Sequence, residues 1–334
     1  MNTPYLKHAM RSGCGLLLLL LSTLVMAARP TPPPLDLLLD PDVVVAEGSY
    51  ADAPAPGRLR FVKVAALHGT APPEVTVVAP YESERTLEVG LRYFLAYSER
   101  SRSPTEPRAW VRNPRGPTLL VKTGLEPGLL PATPAVRQLL MAARDRDYVK
   151  SRPYLRQVLK GLHSSDPSLQ RLFAAELFGR TALRAQLRNS DRRQIRSVAR
   201  DARSDPLARE YLLSAAQVFD PQLGRWWRQL ALEILETEPV APQRGARNEV
   251  LVWTAFGIVN SEQLAPALVS GERWMRSGNG ALAEQALLTL RRVAPARERE
   301  ALAEALAAPE LDVQTRAFLL DHQRRLLTST PAEH

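Results

Sequence analysis

Cysteine is nearly absent: the 334-residue chain holds one, Cys14. That excludes disulfides within the chain and zinc sites built from several thiolates. Lysine is scarce as well, supplying only five of the 44 basic residues. Such an arginine skew is also what GC-rich codon usage produces, independent of any binding role. Aromatic residues reach only 6%, which favours helices packed with Leu and Ala. The motifs HExxH, GxSxG, GxGxxG and GxxxxGK[ST] are missing. Beyond residue 28 the histidines are His68, His163, His322 and His334. No two lie one helical turn apart, so no helical histidine pair can hold a metal. No cofactor and no metal are expected.

Acidic residues are missing from the first 28 positions, where Lys7, His8 and Arg11 precede the apolar run LLLLLLSTLVMA. A basic start, a short apolar core and the small pair Ala27-Ala28 read as a secretory signal peptide over 1–28, cleaved near Ala27-Ala28. Cys14 precedes the apolar run, whereas a lipidated cysteine must follow it. No later run is long enough to span a bilayer. The expected mature protein is therefore cysteine-free, periplasmic or secreted, and not an integral membrane protein.

Charge is uneven. The net charge is +9, and Lys7 and Arg11 account for two of it. Residues 29–133 carry twelve basic and twelve acidic side chains, whereas 134–334 carry thirty and twenty-three. The whole remaining excess thus lies in the second half. A basic half fits an acidic partner or an anionic lipid. Export makes nucleic acid the least expected partner.

After RPTPPP (29–34), a proline-rich tether, the sequence alternates as strands do. The runs are DVVVAEG (42–48), RLRFVKVAAL (58–67), EVTVVA (74–79), LRYFLAY (91–97) and TLLVKTG (118–124). In the second run the apolar phase switches from Leu59 and Phe61 to Val62 and Val64, as a β-bulge produces. Leu91, Tyr93, Leu95 and Tyr97 fall on one side of the fourth. Glycine and proline separate the runs, so 35–125 is expected to be a small barrel or sandwich. The ordered set VVVAEG, LRFVKVAALHG, EVTVVAP and LEVGLRYFLAY resembles the OB-type barrel of the netrin and tissue-inhibitor-of-metalloprotease module. The resemblance implies an OB-like fold. It does not carry over metalloprotease inhibition, because that family binds zinc through an N-terminal cysteine that this mature chain lacks.

EPGLLPATP (126–134) reads as the connection, with the linker at 126–133. From there the apolar period is helical. Leu223, Trp226, Trp227, Leu230 and Ile234 make one stripe, and Leu282, Ala286, Leu287, Leu290 and Val293 another. Asp166-Pro167, Asp205-Pro206 and Asp220-Pro221 each place a capping acid before a proline at the first helical position. DPSLQR, DPLAR, DPQLGR and DVQTR share a frame: Asp, a core-facing residue three later, and Arg four or five later. NSDRRQIR is a looser copy. This Asp-x-x-x-Arg frame resembles HEAT repeats. The resemblance implies an all-α, HEAT-like solenoid over 134–328 that presents an extended binding surface. A non-repetitive helical bundle is the competing fold.

Arginine recurs every fourth residue through 180–200. Leu183, Leu187, Ile195 and Val198 supply core positions between, so two antiparallel helices are expected. One carries Arg184 and Arg188; the other carries Arg192, Arg196, Arg200 and Arg203. Meeting edges would form an anion-binding surface; otherwise they are solvated. Trp110, between Arg108 and Arg112 on a long polar loop, is either a binding tip or a lid on the barrel. Adjacent Trp226 and Trp227 point about 100° apart, so one is expected in the core and the other near its edge, where tryptophan and arginine make binding hot spots. The expected function is a non-catalytic protein-binding or scaffold role, with an unknown protein partner in the bacterial cell envelope. The alternatives are electrostatic binding of anionic envelope polymers or lipid headgroups, and an enzyme with an unrecognised site.

Overall fold

Strand β1 (Val43–Ala55) lies between β2 (Arg58–His68) and β4 (Arg92–Ser98) and runs antiparallel to both. Strand β2 continues to β3 (Glu74–Val78), which meets β7 (Thr118–Leu119) in parallel; β7 then pairs with β4. The ring β1–β2–β3–β7–β4 therefore closes on β1 as a five-stranded, barrel-like sheet. Strands β5 (Arg100–Arg102) and β6 (Trp110–Arg112) form a separate ribbon. The computed structural model describes residues 33–79, 87–102, 110–112, 115–120, 127–219, 226–240, 248–264, 272–309 and 311–328.

The phase switch in β2 is a bulge. Glu47 opposes Ala65 while Ser49 opposes Val62, so β2 carries one extra residue there. Lys63 takes it up with a φ of 52°, a left-handed conformation that bulges accommodate. Gly48 faces the bulge, where a Cβ would meet Val64 Cγ2 at 3.0 Å.

Alternation along β4 divides two cores. Tyr93, Leu95 and Tyr97 point into the barrel with Tyr50, Phe61, Val75 and Val77. Phe94 and Ala96 point the other way, with Val43 and Val45 of β1, into the core of the helices. Both faces of this strand pair are covered, which is why RYFLAY reads as a continuous apolar run. The segment expected as linker contains β8 (Leu129–Pro131), which extends the sheet from β4.

Eleven α-helices are described: α1 (Pro134–Ala142), α2 (Arg152–Gly161), α3 (Pro167–Gly179), α4 (Thr181–Arg184), α5 (Asn189–Arg200), α6 (Pro206–Phe219), α7 (Trp226–Thr237), α8 (Glu249–Glu262), α9 (Gly280–Val293), α10 (Glu298–Ala307) and α11 (Val313–Thr328). Helix α3 packs on α6, α6 on α8, and α8 on α9; α2, α5 and α7 pack on α3, α6 and α8 in turn. None of the described helices is long and apolar enough to cross a membrane.

The acids read as caps do cap. Asp166 Oδ1 accepts from the backbone N–H groups of Ser168 and Leu169, at 2.9 and 3.3 Å. Asp205 Oδ1 does the same for Leu207 and Ala208, both at 3.0 Å, and Asp312 Oδ1 for Gln314 and Thr315, at 2.8 and 3.2 Å. Asp220-Pro221 lies outside the described residues. In two copies of the frame the arginine turns back to the end of the preceding helix. Arg209 Nε donates to Ala199 O at 3.0 Å, and Arg316 donates to Leu306 O at 2.6 Å and Ala308 O at 2.7 Å. In the first copy Arg171 instead reaches forward to the next cap, Asp205, at 3.2 Å.

The residues just after the tether dock among the helices. A 3-10 turn, Pro34–Leu39, buries Leu35 and Leu38 in the helical core.

Candidate functional site

Among the described residues, buried charge is paired. Glu176 of α3 is fully buried and accepts from three groups: Leu35 N at 2.7 Å, Tyr154 OH at 3.0 Å and Arg180 Nε at 2.5 Å. Burial pushes its carboxyl up against the pull of Arg180, Leu35 and Tyr154. Burial also works against the Arg180 charge, but Glu176 and, less strongly, Asp36 outweigh it. The second guanidinium nitrogen of Arg180 reaches Asp36 Oδ1 at 2.8 Å. Glu47 of β1 holds Arg92 at 2.9 Å and Arg137 of α1, joining sheet to helices. His68, at the end of β2, meets Arg144 at 2.8 Å; burial first, then Arg144, lowers its pKa, so the neutral ring is the acceptor.

The arginine edge is partly absorbed into the fold. Arg184 does not share a helix with Arg188. It ends the one-turn α4 and donates to Leu177 O at 3.0 Å, to Phe178 O and to Thr181 Oγ1, closing the end of α3. Burial lowers its pKa to about 10. Arg200 pairs with Glu233 at 3.0 Å. Arg203, beyond the end of α5, pairs with Asp201 at 3.0 Å. Arg188 occupies the N-cap position of α5, where its backbone N–H donates to Asp191 Oδ2 at 2.8 Å; its side chain is exposed, as is that of Arg193, while Arg192 and Arg196 on that helix are half-buried.

The adjacent tryptophans both go inside: Trp226 is 8% exposed and Trp227 7%. Arg228 covers the Trp227 ring, 5.2 Å from its centroid. The fold has room for both because α7 is buried on two sides, facing α8 and α6. Trp110 begins β6, opposite Arg102; its side chain lies outside the described residues.

A polar cleft of about 740 Å³ opens where the α2–α3 and α5–α6 connections meet. His163, Ser165, Ser197, Asp201, Arg203 and Ser204 line it. Its two acids are engaged, Asp201 with Arg203 and Asp205 as the cap of α6. The side-chain and backbone bonds from Arg203 pull Asp201 down to about 2. A second hollow, also about 740 Å³, lies between α9 and α11. At its wall Arg291 and His322 both contact Glu298 Oε1, at 2.8 and 3.0 Å.

The residues that the sequence reading missed lie on α8. Val250 is 48% exposed and Trp253 44%, one turn apart, although the opposite side of α8 holds Leu251, Val252, Ala255, Phe256, Ile258 and Val259 in the core. Beside them, Thr254 Oγ1 donates to Glu210 Oε1 of α6 at 3.3 Å, and Ser214 Oγ donates to the same oxygen at 2.7 Å. Burial pushes the Glu210 carboxyl up, against both hydroxyls. The only local signal was composition: EVLVWTAFGIVNSE is apolar on every side, more than a one-sided surface helix needs.

No protein-family model, characterised protein or solved structure matches the chain.

Proposed function

We propose that the chain is an exported, non-catalytic scaffold of the bacterial cell envelope that holds a partner protein on its helices. The observation that carries this is the pair Val250 and Trp253, two exposed apolar side chains one turn apart on a helix whose other side is core. Covering apolar surface stabilises a complex by roughly 25 cal/mol per Å², and tryptophan is the residue most enriched at binding hot spots.

The architecture supports the same reading. The closed strand order, with β7 parallel to β3, fits a small OB-like barrel. Two rows of helices, each packed on its neighbours, and arginines that tie a helix to the preceding helix end or the next cap, fit HEAT-like stacking. Such arrays work by presenting an extended face. The polyanion reading is weakened because Arg184, Arg200 and Arg203 bond within the chain, which leaves it to rest chiefly on Arg188, Arg193 and Arg196.

The test is retention of envelope proteins by the tagged mature chain through a high-salt wash, run beside Trp253→Asp. A protein held in fixed ratio by the wild type and lost by the variant, with unchanged melting temperature, is the expected result. Equal retention by both, or release of everything by salt, overturns the reading. Salt release would favour counterion-dependent contacts through the arginine edge.

A further inference from the structure

Six carboxylates in the described part of the chain are buried: Glu47, Glu176, Asp191, Asp205, Glu238 and Glu298. Each has an arginine. Their partners are Arg92, Arg180, Arg152, Arg171, Arg209 and Arg291. This is what electrostatics requires, because an ionised group taken from water without a countercharge is costly. In a chain with 44 basic residues, a countercharge is seldom far away.

Glu210, which is only half-buried, is held differently. It lies between α6 and α8, and its bonds come only from two neutral hydroxyls, Ser214 and Thr254. Both donate to Oε1, so among the described residues Oε2 accepts no hydrogen bond and no ion pair reaches the carboxyl. Thr254 is the neighbour of Trp253 in sequence and lies one helical turn from Val250. An acid held in place by hydroxyls, with one oxygen left over, therefore borders the exposed apolar pair.

We infer that the α6–α8 face docks a polypeptide segment that presents an arginine or lysine to Glu210 Oε2 while an adjacent apolar side chain covers Val250 and Trp253. The inference rests on the protein-binding reading above and adds the chemistry of the partner. Charge complementarity decides the occupant: the cation gives Glu210 the kind of partner that the six buried acids already have within the chain. The tryptophan beside it offers a ring face, which attracts cations as well as apolar groups. The hydroxyls hold the carboxylate before binding, so little ordering remains to be done on this side.

The probes are two short peptides that differ at one atom group, acetyl-Leu-Leu-Arg-Leu-amide and the same sequence with neutral citrulline. Binding to the full mature chain is read by titration calorimetry. Saturable binding of the arginine peptide, at least tenfold weaker for citrulline, is expected. Glu210→Gln should remove that preference and Trp253→Ala the binding itself. Gln keeps an acceptor for both hydroxyls, so a folded Glu210→Gln chain is expected. Equal binding of the two peptides, or none by either, overturns the inference. Spermidine, a cation with no apolar neighbour, should bind at least tenfold more weakly; binding as tight as the peptide would overturn a polypeptide occupant. A partner retained through Trp253 but indifferent to Glu210→Gln would sink this inference and leave the scaffold reading standing.

Discussion

Leu35 donates its backbone N–H to Glu176 Oε1 at 2.7 Å, across 141 residues of sequence. The contact ties the start of the described chain to the middle of the helical region. Asp36 reinforces it by pairing with Arg180, and Tyr154 donates to the other Glu176 oxygen. The barrel and helices are therefore joined through this cluster as well as through the shared core at Val43, Val45, Phe94 and Ala96.

Glu176→Ala should destabilise the protein strongly, by about 3–5 kcal/mol, because it leaves the buried Arg180 with only a partly exposed partner. Urea unfolding measures this directly. A loss under about 1 kcal/mol would show that the cluster does not hold the two regions together.

Arg209 and Arg203 should separate sharply. Arg209 is buried, caps the end of α5 and pairs with Glu238. Arg209→Ala should cost about 3–5 kcal/mol. The Arg203 side chain is 91% exposed and pairs with nearby Asp201; Arg203→Ala should leave the unfolding midpoint unchanged. Equal effects would contradict the assignment of Arg209 as the link between helices.

Glu210 gives a pH-dependent expectation. Its carboxyl is pushed up by burial, so the folded state holds its proton more tightly than the unfolded state does. The cost of ionising it is absent below the ordinary carboxylate range and grows as pH rises through the folded value. Glu210→Gln removes that cost. Its melting temperature should exceed the wild type's at pH 7.5 and converge with it near pH 4. A gap that widened as pH fell would reverse the sign and contradict the burial argument.

Gly128 tests the junction of β4, β7 and β8. A Cβ there would press on Ala96 O and on Leu120 N, both backbone atoms that cannot rotate away. Gly128 also accepts from Ala96 N at 2.8 Å. Gly128→Ala should cost about 1–3 kcal/mol as overpacking. A neutral result in thermal melts would mean that the strands do not approach this closely.

Local chemistry was the legible part of the sequence. The phase switch at Val62 marked the bulge, and the Asp-Pro pairs marked helix starts, because both are set within a few residues. Partners far apart in sequence were not legible. Nothing near Leu35 signals that its N–H meets Glu176. β8 hid in Leu129–Pro131 because three residues ending in proline give no strand period. The regular arginine spacing hid the division between Arg184, which closes α3, and Arg188, which stands at the start of α5 with its side chain in water. Trp253 was invisible for a different reason. On a helix apolar all round, periodicity cannot say which side stays in water, and only the packing of α7, α6 and α9 around α8 decides it.

The most direct measurement is photo-crosslinking in the intact envelope, with benzoylphenylalanine placed in one strain at position 257, an exposed site one turn beyond Trp253 where a side chain meets nothing within 4 Å, and at position 196 in another. The account predicts a discrete protein adduct from 257 and none from 196. An adduct from 196 alone, or none from 257, would contradict the α8 face as the binding surface.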